Sequence, residues 1–158
     1  MRYFLSLGSN LGDRMKNLGS AIDLLYKSGV HIVSKSSVYE TEPVGIVSES
    51  WFYNQVLEVE TELAPMELLI QIQRIEEQMG RVRTEQLSSR PIDIDILLAG
   101  EETVSTENLE IPHPRLTERN YVIYPLAEIA PDVKHPVLNE RIISLLEKSN
   151  DPFHVKKL

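Results

Sequence analysis

A chain of 158 residues, 42% hydrophobic and 25% charged, has the make-up of one globular domain spanning 1–158, with a real core and no disordered tract. Its formal net charge of −8 argues against a nucleic-acid partner, since binding a polyanion draws on clustered Lys and Arg. The absence of cysteine removes disulfides, thiolate nucleophiles and cysteine zinc sites, and nothing resembles a signal peptide or approaches the ~20 apolar residues that span a bilayer, so the expected setting is cytoplasmic with no membrane partner.

Arg2 to Leu7 alternates around Tyr3, Leu5 and Leu7 and predicts a strand. Gly8-Ser9-Asn10-Leu11-Gly12 breaks it with a strand-to-helix turn of the kind that holds phosphate. It has neither the ending of a P-loop nor the spacing of a dinucleotide fingerprint, and a plain turn is the better reading of those residues alone. Asp13 is placed to cap a helix through about Lys27, with Leu11, Met15, Leu18, Ile22 and Leu25 at helical spacing and Gly29 just past the end. His31 to Glu40 and Trp51 to Leu63 are β-rich, and Thr41-Glu42-Pro43-Val44-Gly45 opens the connection between them. Pro65 suits the first position of a second helix, whose stripe of Leu68, Ile72, Ile75 and Met79 stops at Gly80. With the strand after Arg90 the order is β-α-β-β-α-β, which predicts an α+β fold with a ferredoxin-like antiparallel core. A short strand near Glu102 to Ser105 and helices over about Thr117 to Ile129 and Asn139 to Lys148 are appended to it.

Arg90-Pro91-Ile92-Asp93-Ile94-Asp95-Ile96 carries the strongest chemical signal, because alternation puts the three Ile on one face and both carboxylates on the other. Paired carboxylates repel unless a cation sits between them, which points to a divalent metal, although a solvated acidic face also explains a lone D-x-D. Three arginines, Arg81, Arg83 and Arg90, lead into this strand, and carboxylates bracketed by guanidiniums suit transfer from a nucleoside triphosphate. Gln73 and Glu76 neighbour each other at i, i+3 beside the apolar stripe, where solvated helix decoration is the reading from spacing alone. Ile111-Pro112-His113-Pro114-Arg115 reads equally as a rigid turn with an exposed His and as part of a site.

Gly8-Ser9-Asn10, Tyr39 to Gly45, Phe52-Tyr53-Asn54, Gln73-Arg74-Ile75-Glu76, Gly80-Arg81-Val82-Arg83, the Asp strand and Ile111-Pro112-His113-Pro114 occur together in one order. In that order the chain resembles the 6-hydroxymethyl-7,8-dihydropterin pyrophosphokinases over nearly its whole length. The resemblance implies transfer of the diphosphoryl group of ATP to the pterin hydroxymethyl, with release of AMP, in folate biosynthesis. By position it implies that Asp93 and Asp95 bind two Mg²⁺ with ATP, and that Arg81 and Arg90 act with them at the transfer step. Gln73, Glu76, Arg83, Ile96, His113 and Arg119 match nucleotide-side positions. Thr41, Pro43, Val44, Phe52, Asn54, Asp93 and Tyr121 match the pterin pocket, with Phe52 and Tyr121 as the two stacking faces and Asn54 on the polar edge. The partners implied are ATP and the pterin, with the enzyme a monomer.

The family often has Trp-Gly-Pro before the arginine that heads the Asp strand, where this chain has Leu87-Ser88-Ser89, and Asn108 and Glu110 stand where other members often contact the nucleotide. The polar loop from Arg81 to Arg90 is expected to close on the triphosphate. A nucleotidyltransferase, whose Gly-Ser turn and D-x-D lie close together, fits poorly because over eighty residues separate Ser9 from Asp93. A binding module without catalysis gives no reason for paired aspartates facing three arginines.

Overall fold

The N-terminal strand, β1 (Arg2–Ser9), runs through the turn expected at Gly8 and lies between two antiparallel neighbours, β4 (Phe52–Glu60) and β5 (Asp93–Ala99). The computed structural model describes residues 1–42, 51–81, 90–152 and 154–158. A central strand must bury both faces, and β1 does: Tyr3, Leu5 and Leu7 enter one core and Phe4 enters another.

The connection expected as one strand over His31 to Glu40 is two, β2 (His31–Lys35) and β3 (Tyr39–Thr41), laid end to end along the same edge of β4. Ser36 makes the break. Its hydroxyl accepts the Val56 N–H at 2.9 Å, and its own N–H donates to the Val56 carbonyl at 2.9 Å, so a side chain takes one place in the ladder and an extra residue is absorbed as a bulge. A last short strand, β8 (Val155–Lys157), pairs with β3 and completes the order β5-β1-β4-β3-β8. Its Val-Lys-Lys sequence has no apolar alternation, which is why periodicity did not predict it.

Helix α1 (Arg14–Lys27) starts as expected, with Asp13 Oδ1 accepting the Lys16 N–H at 3.1 Å. Its buried stripe begins a turn later than the spacing suggested, at Leu18, Ala21 and Leu25, while Leu11 and Met15 are about half exposed. At that end of the helix Arg14, not an apolar side chain, covers the sheet, over Tyr53. Helix α2 (Pro65–Gln78) has Pro at its start, Glu67 accepting the Ala64 N–H at 2.9 Å, and a stop at Gly80 with φ +91°. Leu68, Ile72 and Ile75 join Leu18 and Leu25 under the Tyr3 face. This is the ferredoxin-like core.

The appended part covers the other face. After a small hairpin of β6 (Val104–Ser105) and β7 (Glu110–Ile111), helix α3 (Asn120–Ile129) lays Val122, Ile123 and Leu126 against Phe4, Val56 and Leu97, backed by α4 (Ile142–Glu147). Both helices are shorter than predicted. Arg119 is extended at φ −123°, following a turn in which Leu116 N–H donates to the His113 carbonyl, and Asn139 sits at φ +55°, outside helical space.

Glu128 on α3 fastens this layer to the sheet edge. Its carboxylate accepts from Tyr39 Oη at 2.7 Å and from both the amide and the hydroxyl of Ser37 at 3.0 Å, with Lys157 Nζ at 3.9 Å. Burial opposes the charge, but these donors outweigh it and hold the Glu128 pKa below 4.5. A depressed folded pKa contributes stability that is fully present above the unfolded value and is lost as pH falls through the folded one. Glu128→Gln is therefore expected to cost about 1–2 kcal/mol at pH 7. Urea titrations should show that deficit shrinking below about pH 4.5.

Candidate active site

The cleft follows from a change of residue type along one face of the sheet. Under α3 the three central strands present Phe4, Val56 and Leu97; one or two pairs further along the same face they present Ser6, Gly8, Asn54, Asp93 and Asp95. Helix α3 ends over the apolar part. The polar part stays open as a cleft edged by Thr41, Glu42, Phe52, Arg90, Arg119 and Tyr121.

Register fixes the floor. Gly8 pairs with Asn54 on one side and Asp93 on the other, and Ser6 pairs with Asp95. A Cβ on Gly8 would lie 2.7 Å from Asn54 Oδ1 and 3.5 Å from the Phe52 ring. Only glycine allows this approach, and the close passage lets Asn54 Nδ2 reach Thr41 Oγ1 at 2.6 Å. That bond aims the amide oxygen of a buried side chain across the cleft floor.

The next turn, for which a plain turn is the better reading from sequence, also ties two segments together. Asn10 grips the head of β5: its Oδ1 accepts the Arg90 N–H at 2.7 Å and its N–H donates to the Arg90 carbonyl at 3.1 Å. Arg90 is thereby placed with Nη1 3.5 Å from Asp93 Oδ2 and its guanidinium 6.0 Å from the Phe52 ring centre.

Glu76 is not solvated decoration. It is 2% exposed, accepts the Ile94 N–H at 3.0 Å, and receives Arg81 Nη1 at 2.5 Å, while the same nitrogen reaches Asp93 Oδ1 at 2.6 Å. The two carboxylates raise the Arg81 pKa despite its burial. Among the described residues Asp95 has no such cation in contact, and its carboxyl is pushed up to about 7, by withdrawal from water first and then by Asp93 and Glu76. With 43% of that side chain still facing the cleft, the repulsion is the part that outlasts solvation.

On the α3 side, His113 Nδ1 accepts the Arg115 N–H at 3.1 Å, which leaves the proton on Nε2, 4.0 Å from Asp95 Oδ2. Burial and Arg119 lower its pKa, so the ring is neutral at pH 7. Arg119 donates to the Tyr121 hydroxyl and lies 5.5 Å from that ring's centre. Burial takes the Tyr121 phenol up to about 12.

The structure thus gathers Thr41, Phe52, Asn54, Arg90, Asp93, Asp95, Arg119 and Tyr121 at the cleft, with Glu76, Arg81 and His113 directly against them. Gln73 lies half-buried one turn before Glu76. The Ile96 side chain is a core residue, so that position offers a ligand only its backbone. Pro43, Val44, Arg83 and the loop expected to close over the triphosphate lie outside the described residues. Ser6 was not among the expected site residues, and Gly8 and Asn10 were singled out only as parts of a turn and a motif, without the roles seen here; a glycine inside an alternating strand was the available signal for Gly8.

Asp93 and Asp95 offer the hard oxygens that Mg²⁺ prefers. Among the described residues no three His, Asp or Glu gather to hold a metal by themselves. The pair therefore fits an ion that completes its shell with water and phosphate oxygens, as Mg²⁺ commonly does.

The family model for 7,8-dihydro-6-hydroxymethylpterin-pyrophosphokinase matches residues 4–131. The chain belongs to that family. The 2-amino-4-hydroxy-6-hydroxymethyldihydropteridine pyrophosphokinase of Bacillus subtilis (strain 168) is 45% identical over 132 residues, 83% of this chain and 79% of that protein. Its counterpart in Haemophilus influenzae is 41% identical over 146 residues, covering 92% of this chain and 90% of the other. The folic acid synthesis protein fol1 of Pneumocystis carinii is 40% identical over 94% of this chain, which spans only 20% of that longer protein. Wild-type Plasmodium falciparum HPPK-DHPS superposes with a TM-score of 0.73 at 22% identity, over 93% of this chain and 43% of that one, and shares the fold.

Gly8→Ala is expected to push the Asn54 amide off Thr41 at a cost of about 1–3 kcal/mol, as overpacking does in a tight interior. Denaturant unfolding measures it, and an unchanged midpoint would mean that the floor yields freely.

Proposed function

We propose that this cleft joins ATP and 6-hydroxymethyl-7,8-dihydropterin, with the pterin between Phe52 and Tyr121 and the triphosphate along Asp93, Asp95 and the arginines. Membership of the family makes the chain an ATP-dependent pyrophosphokinase of folate synthesis, transferring a pyrophosphoryl group to the hydroxymethyldihydropterin. The observation that carries the residue assignment is the meeting of two kinds of wall at Asp93: aromatic and amide groups on one side, carboxylates and guanidiniums on the other.

A flat polar heterocycle gains from stacking on both faces, and the Asn54 amide offers its ring edge a donor and an acceptor. Thr41 keeps that amide in place. The hydroxymethyl oxygen then attacks the β-phosphorus as the bond from that phosphorus to the α-phosphate oxygen breaks; AMP leaves and the hydroxyl proton passes to water. Two Mg²⁺ held by Asp93 and Asp95 would neutralise the phosphate oxygens that bear the growing charge. Arg81 and Arg90 already stand against Asp93 and serve the same charge with directed N–H groups. Neutral His113 and Arg119 bound the nucleotide side. Gln73, Arg83 and the Ile96 backbone complete our assignment of the nucleotide side, and Pro43 and Val44 that of the pterin wall. No general base is needed, because positioning and charge stabilisation supply most of the catalysis in phosphoryl transfer.

We read residues 1–158 as one unit acting as a monomer, since a single chain supplies both walls, and place the reaction in the cytoplasm, the reducing setting that a cysteine-free chain suits. No helix among the described residues is long and apolar enough to cross a membrane.

Incubated with Mg²⁺, ATP and the reduced hydroxymethylpterin, the purified protein should yield AMP and a pterin diphosphate, separable by chromatography. ADP in place of AMP would overturn the assignment. Asp93→Asn or Asp95→Asn should lower turnover by a factor on the order of 10² or more while the fold persists.

Phe52→Ala and Tyr121→Ala should each weaken pterin binding by roughly 1–2 kcal/mol and leave nucleotide affinity nearly unchanged. Calorimetric titration with each ligand decides this, and equal losses for both would make the two rings parts of the core instead.

A further inference from the structure

Arg14 takes no part in the transfer, yet its guanidinium is held from three directions. Nη1 donates to the Trp51 carbonyl at 2.7 Å and lies 3.5 Å from Glu40 Oε2, and the guanidinium carbon sits 3.9 Å from the centre of the Tyr53 ring. These contacts join the first residue of α1 to the middle of β3 and to the entry of β4. Glu40 pairs with Tyr53 in the sheet, and Thr41 opposite Phe52 is the last pair of that ladder. The Trp51 carbonyl therefore lies past the ladder's end, and Arg14 is the donor that meets it.

The residue between those two grips is Phe52. The Trp51 carbonyl and the Phe52 amide share one planar peptide unit, so holding the oxygen sets the plane from which Phe52 departs. Tyr53, the next residue, projects to the opposite face and is held there by the stacked guanidinium. With the units before and after it fixed from the back of the sheet, Phe52 keeps one direction into the cleft, against Gly8. Among the described residues the polar and ring contacts of Arg14 are to Glu40, Trp51 and Tyr53, all at this corner of the sheet.

We propose that Arg14 is a positioning residue for the Phe52 face of the pterin pocket, acting through the Trp51 carbonyl and the Tyr53 ring. This rests on the reading that Phe52 stacks the pterin. A guanidinium is required because one planar group must donate and stack at once; an ammonium donates without presenting a plane.

Arg14→Met keeps the apolar stem and removes both functions, while Arg14→Lys keeps one hydrogen bond. Trp51 is the only tryptophan of the chain, so its emission reports this segment alone. In Arg14→Met the emission should shift and become easier to quench with acrylamide. The pterin Kd and KM should rise about 5- to 20-fold, a fraction of what one cation–π contact and one charged hydrogen bond are worth, because Arg14 acts through Phe52 and not on the pterin itself. The turnover number and affinity for a nonhydrolysable ATP analogue should stay within about twofold, and Arg14→Lys should recover part of the pterin affinity. An unchanged pterin Kd in Arg14→Met, or parallel losses for pterin and nucleotide, overturns the positioning role alone. A wild-type protein that binds no pterin overturns the functional reading, and this role with it.

Discussion

A carboxylate sealed from water at 2% exposure must be met by charge and by hydrogen bonds, and Glu76 is met by Arg81 and the Ile94 amide. That requirement organises everything around it. Glu76 closes the last full turn of α2 and Ile94 is the second residue of β5, so the bond seats the helix end against the strand that carries both aspartates. Arg81, drawn in by the buried charge, is brought within reach of Asp93 as well. Break the Glu76 contact, and the orientation of Arg81 and the start of β5 lose a common anchor.

The charges around this anchor nearly cancel. Among the described residues Arg81, Arg90 and Arg119 face Glu76, Asp93 and Asp95, and Glu42 adds a fourth carboxylate at the cleft edge. From the described residues a triphosphate entering such a cleft meets directed N–H groups but no net positive field, and the cations that travel with it supply neutralising charge. The raised Asp95 pKa expresses the same shortage locally, since its neighbours Asp93 and Glu76 already claim Arg81. Neutral groups, His113 and Tyr121, finish the wall without shifting that balance.

Much of the fold was legible because its elements follow simple periods. Asp13, Pro65 and Gly80 mark helix ends by backbone chemistry that does not depend on tertiary packing, and all three mark real boundaries. Elements made by pairing rather than pattern were less visible. Ser36 interrupts β2 and β3 only because its hydroxyl faces the Val56 amide, and β8 exists only because β3 offers it an edge. At the site, the paired aspartates and the arginines announced themselves by spacing, and the family resemblance supplied the aromatic pair and Asn54. What no spacing shows is that Gly8 must lack a side chain to let Asn54 pass, that Asn10 reaches Arg90 across eighty residues, or that Glu76 turns inward.

The pairing of β8 with β3 reaches beyond the packing of a few terminal residues. Val155 lies opposite Thr41, and the His154 N–H donates to Glu42 Oε1 at 2.8 Å, so the far end of the chain braces the outer side of the wall that orients Asn54. Without β8 the outer edge of β3 would keep its amides and carbonyls unpaired over three residues, too short a stretch to template another strand but enough to loosen the segment that carries Thr41. Proteolytic trimming or a bulky fusion at that end would thus reach the cleft through the sheet, by slackening the wall on which Asn54 is held.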